Sequence, residues 1–143
     1  MLFIIAAAIF YSIAIIFSTI ASRAINTNLA AGIGNLISAI IPLAIAAPFL
    51  NKKLLTVPDS RFGVIMEIFA GISVALFTMA LTKSFSVNKV AIVAPIVFGG
   101  SIFLSAILSY IFLKEKITIT ELLGLLILGV GLIVITYAKF TGK

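Results

Sequence analysis

Charged residues divide the chain into five long apolar runs: 1–22, 24–51, 68–82, 90–113 and 122–138. A helix rises 1.5 Å per residue, so it needs about 20 apolar residues to cross about 30 Å of hydrocarbon. The first, second and fourth runs are long enough alone. The third reaches that length only if its helix begins near Arg61 and takes Glu67 inside. The fifth does so from near Ile119, with Glu121 at the interface. The pattern therefore predicts an all-α membrane protein with five transmembrane helices, over about 3–21, 29–50, 61–82, 89–113 and 119–138. Outer-membrane strands would alternate polar and apolar residues in segments of about ten, and no such alternation occurs.

Turn and cap chemistry marks the breaks. Asn26-Thr27-Asn28 separates the first two spans, and Asn51-Lys52-Lys53 with Thr56-Val57-Pro58-Asp59-Ser60 separates the next two. Ser86-Val87-Asn88 offers caps for the fourth helix. Thr118 and Glu121 have the spacing of a capping box, in which each satisfies an orphan amide of the other. The connections are short, which gives a single five-helix transmembrane domain over 1–143. The first run lacks a basic leading region and exceeds the usual 7–15 residues of a signal-peptide core, so it reads as a retained span.

Composition agrees: 63% of the 143 residues are hydrophobic and 10% charged, and the mean hydropathy is +1.37. A soluble domain would carry about 25% charged residues. With no His and no Cys, thiol chemistry, Cys/His zinc sites and His-based triads are excluded. Asp59, the sole aspartate, falls in a predicted loop, so an intramembrane hydrolase has no aspartate pair either. The sequence thus calls for no catalytic residues, metal or cofactor. The net charge of +6 comes from Lys and Arg placed singly or in twos at span ends. It flanks lipid and gives nucleic acid no basic face.

Five spans put the termini on opposite sides of the membrane. Lys52, Lys53, Arg61, Lys114 and Lys116 then face one side, and Arg23, Lys83, Lys89, Lys139 and Lys143 the other. The positive-inside rule needs an excess of Lys/Arg on one side, and there is none. Either orientation depends on the details of one loop, or copies insert both ways up and pair antiparallel.

At helical spacing the small and polar residues fall into stripes. Tyr11 and Ser18 on the first helix, Asn35 and Ser38 on the second, Glu67 and Thr78 on the third, and Ser101 and Ser105 on the fourth are candidates for binding a solute. Helix packing is the competing reading of each stripe. For Glu67 the alternative is snorkelling to the interface. Asn35 is deep and too hydrophilic to face lipid without a partner. Pro42 and Pro95 free the carbonyls of Ser38 and Ala91 and are candidate hinges or simple kinks, and Pro48 reads as a kink. The fifth helix offers Gly124, Gly129 and Gly131 for close helix or dimer packing.

The second half carries a further signal: Ala80-Leu81, Val90-Ala91, Ala94-Pro95, then Leu113-Lys114-Glu115-Lys116-Ile117-Thr118, then Gly124 and Gly129-Val130-Gly131. This resembles the end of one repeat of the EamA-like family in the drug/metabolite transporter superfamily. There a proline-containing fourth helix ends in a glutamate before a short turn and a glycine-rich fifth helix. Family members typically have two five-helix repeats of inverted orientation and carry small metabolites. The resemblance implies one inverted-repeat half that pairs with a second copy or with another half-transporter. It also implies a multi-pass protein of the cell membrane that moves a small organic metabolite by alternating access. The first helix has no acid, unlike the related small multidrug resistance proteins, which argues against proton-coupled efflux of organic cations. A non-transporting membrane subunit or assembly partner is the alternative function.

Overall fold

The computed structural model describes residues 2–49 and 58–141. Those residues form five α-helices: α1 (Leu2–Ala24), α2 (Thr27–Ala46), α3 (Pro58–Val87), α4 (Val90–Leu108) and α5 (Ile119–Thr141). Five spans within them are long and apolar enough to cross a membrane, as the charge-free runs predict. The predicted segment Asn51-Lys52-Lys53 and Thr56-Val57 lies outside the described residues.

The helix ends follow local chemistry. Asn26 caps α2, its side-chain oxygen accepting from the amides of Asn28 (2.9 Å) and Leu29 (3.4 Å). The α-helical part of α2 stops at Ala46, and Ala47–Phe49 tighten into a 3₁₀ turn. Pro48 has no N–H to give the carbonyl of Ala44, so residues 47–49 of the predicted extension are not α-helical, and residue 50 lies outside the described residues. Pro42, by contrast, is carried inside the continuous helix. Pro58 takes the first position of α3, where its missing N–H costs nothing. That helix runs to Val87, past the predicted end at 82, so Ser86 lies within it and donates to Lys83 O. Lys89, not Ser86 or Asn88, occupies the cap position of α4, without a side-chain cap bond.

The predicted span 89–113 changes winding at Leu108. Ser109–Leu113 form one π turn, closed by Lys114 in the left-handed region at φ 56°. The Lys114 amide donates to Ser109 O, ending the helix. At the start of α5 the capping box is present. Glu121 Oε2 accepts from Thr118 N (2.7 Å) and Thr118 Oγ1 (2.8 Å), and Glu121 N donates back to Thr118 Oγ1 (3.3 Å).

The chain forms two compact units, residues 1–87 and 88–143. In the first, α1, α2 and α3 each touch the other two. Its buried residues are mostly small: Thr19, Ser22, Ala30, Ala31 and Thr82, with Leu81 and the fully buried Phe85. Arg23 Nε donates to the carbonyl of Phe85 (3.3 Å), tying the end of α1 to the last turns of α3. In the second unit α4 packs along α5. A Cβ placed on Gly99 would come within 2.5 Å of Leu132 Cδ2, and one on Gly129 within 3.3 Å of Phe103 Cε2, so both glycines mark close approach. Gly124 and Gly131 have nothing within 4 Å of such a Cβ, so of the three α5 glycines only Gly129 packs within the unit.

Large apolar side chains point outward throughout. Phe3, Ile127 and Phe140 are 88, 74 and 82% exposed, and α5 buries none of its residues. In water such a surface would aggregate; in lipid it is the solvated face.

Candidate functional site

In the lipid-spanning part of the first unit, a cavity of about 600 Å³ opens among α1, α2 and α3. It gathers five of the eight solute-binding candidates: Tyr11 and Ser18 from α1, Asn35 and Ser38 from α2, and Thr78 from α3. Asn35 and Thr78 meet directly, Asn35 Nδ2 donating to Thr78 Oγ1 at 2.8 Å. Asn35 thereby finds the partner its depth demands, because a buried amide without one is costly in hydrocarbon. Thr78 passes its own proton to Ala75 O (3.0 Å), and Thr82 passes its proton to Thr78 O (2.6 Å). Ser38 donates to Asn35 O at 2.9 Å. The hydroxyls of Ser38, Thr78 and Thr82 thus bond back to their own helices.

The walls are mostly apolar and include three phenylalanines. Phe17, Phe77 and Phe85 line the space with Ile15, Ile33 and Leu81. These aromatics are not among the sequence-predicted candidates. A signal for them exists: Phe77-Leu81-Phe85 and Val74-Thr78-Thr82 are adjacent i, i+4, i+8 rows on α3, one apolar and one ending in hydroxyls.

The structure does not bring the other candidates to this cavity. Glu67 is exposed on α3, eleven residues and roughly 16 Å of axial rise before Thr78. Ser101 and Ser105 belong to the second unit, are exposed, and donate to Phe98 O (2.8 Å) and Ile102 O (2.9 Å) of their own helix. Pro95 lies inside α4 and Pro42 inside α2, one turn beyond Ser38.

A second groove, of about 450 Å³, lies between the end of α4 and the start of α5. Ser109, Glu115, Lys116, Glu121 and Gly124 line it. Glu121 is committed to the cap, and the amide of Glu115 donates to Ser109 O (3.4 Å). This end of the unit is built around helix termination at the membrane edge. Among the described residues no cluster of His, Cys, Asp and Glu has the makings of a metal site.

No curated protein and no solved structure matches this sequence. The family comparison does match, over residues 1–137, and it takes in all five apolar spans up to the last turns of α5. This chain, a multi-pass membrane protein, belongs to the EamA-like transporter family.

Proposed function

We propose that the protein carries a small organic metabolite across the cell membrane, using the α1–α3 cavity as its half of the solute site. The observation that carries this reading is the cavity itself, a lipid-depth space that holds the Asn35–Thr78 pair among five polar candidates. Asn35 is the ninth of twenty residues in α2, which puts the pair near the middle of that span. Transporter sites built from inverted repeats lie at this depth.

In this reading a second copy, inserted upside down, supplies the second repeat. The five-against-five distribution of Lys and Arg supports it, since neither orientation is favoured. Rocking of one copy against the other would expose the site to each side in turn. Pro42 and Pro95, which leave carbonyls without their helical donor, are the positions at which α2 and α4 would bend.

The test is flux by purified protein in liposomes, together with C-terminal reporters active only inside or only outside the cell. Signal from both reporters, and flux lost on disrupting Asn35, are the expected results. Signal from one reporter alone removes the antiparallel pair. A folded complex that moves no solute points to the alternative, a non-transporting subunit.

A further inference from the structure

We infer that the α1–α3 cavity selects an uncharged solute with an apolar, ring-sized body that donates a hydrogen bond to Asn35 Oδ1. The inference rests on reading this cavity as the solute site. It begins with one proton. The Thr78 hydroxyl has a single hydrogen, and Ala75 O takes it. Toward Asn35, Thr78 can therefore only accept, so the group it meets at 2.8 Å must be the amide –NH₂. The Asn35 side chain is thereby oriented, with Oδ1 and one N–H left without a partner among the described residues.

The neighbouring hydroxyls sharpen this polarity. Ser38 and Thr82 also spend their protons on backbone carbonyls, so each offers the cavity oxygen lone pairs. At the Asn35 end of the cavity these oxygens and Oδ1 are acceptors, and their complement is a solute N–H or O–H.

No charged side chain among the described residues of the first unit lines the space. Within its helical residues α2 has no ionisable side chain. On α1 the sole charged residue is Arg23, which is exposed, outside the lining, and donates from Nε to Phe85 O. Lys83 of α3 is exposed and outside the lining, and Glu67 is three turns from Thr78. An ion entering this space would exchange its hydration for neutral dipoles and mostly apolar walls, a loss that a few hydrogen bonds do not return. A sugar fares little better, because its many hydroxyls would face apolar side chains such as Phe17, Ile15 and Ile33.

Four probes built on one phenyl ring separate these properties: benzamide, N,N-dimethylbenzamide, benzoate and benzylammonium. Their binding to the protein in lipid nanodiscs is read by saturation-transfer NMR, with empty nanodiscs subtracted. Benzamide is expected to bind at least tenfold more tightly than either ion. Asn35→Leu should weaken benzamide about threefold to tenfold, the worth of one neutral hydrogen bond, and weaken the dimethyl compound, which has no N–H to donate, by less. Asn35→Asp should reverse the ranking, with benzylammonium ahead of benzamide, a gain that misfolding cannot produce.

Either ion binding the unaltered protein as well as benzamide overturns the inference. So does benzamide binding indifferent to Asn35, or no binding by any probe to protein that is helical by circular dichroism. Flux of a metabolite mixture in the same lipid separates the two levels. Movement of charged solutes alone sinks this inference and leaves the transport reading standing. Asn35-dependent benzamide binding without flux of any solute does the reverse.

Discussion

A single methyl group on α4 tests how closely α4 and α5 approach. An alanine Cβ at Gly99 would lie 2.5 Å from Leu132 Cδ2, 3.0 Å from Cδ1 and 3.1 Å from Cγ. Carbon atoms prefer about 3.5–4.0 Å, so the whole end of Leu132 must retreat by about 1 Å, or the helices must part. Overpacking of this kind costs about 1–3 kcal/mol. Gly→Ala also gains up to about 1 kcal/mol of helix propensity, which would blur the result if read alone. Gly100 supplies the internal control: it is the next residue of the same helix, and a Cβ there meets nothing within 4 Å. Gly99→Ala should therefore be less stable than Gly100→Ala by about 1–3 kcal/mol, measured by SDS titration in mixed micelles with circular dichroism. Adding Leu132→Ala to Gly99→Ala should recover most of the difference. Equal stability of the two alanine variants would refute the close approach of α4 to Leu132.

Thr78→Val removes the acceptor for Asn35 and should cost about 0.5–1.5 kcal/mol by the same titration. In that background Asn35→Ala should add little, so the double-mutant cycle isolates the pair. Thr118→Ala breaks the box at the start of α5 and should cost about 0.5–2 kcal/mol in thermal unfolding. Lys114 holds φ 56° without being glycine. Lys114→Gly should therefore stabilise by up to about 1 kcal/mol, whereas Lys114→Val should destabilise by about 1–2 kcal/mol.

Charge-free length made the five spans legible, because hydrocarbon thickness dictates it directly. The helix ends were harder to read. Residues 83–87 continue α3 despite Lys83, Ser84 and Ser86, because their hydroxyls find carbonyls within the helix itself. The π turn at Ser109–Leu113 has no proline mark, and Ser109 only continues the four-residue spacing of Ser101 and Ser105. Asn35 stood out by its depth, and Thr78 by its stripe. Their meeting could not be read, since it depends on how α2 and α3 are rotated against each other. Gly99 escaped notice for a similar reason: a glycine shows that close approach is possible, and only the neighbouring Leu132 shows that it happens.

The self-bonded hydroxyls have a consequence for how the chain is made. Ser12, Ser38, Ser73 and Thr82 hand their protons to carbonyls three or four residues back, so each such residue enters lipid with that debt already settled. Asn35 is different, since its amide turns to a residue synthesised 43 positions later. Until Thr78 emerges from the ribosome, α2 is a reluctant lodger in the bilayer. Its pairing with α3 is what completes α2 as a membrane helix.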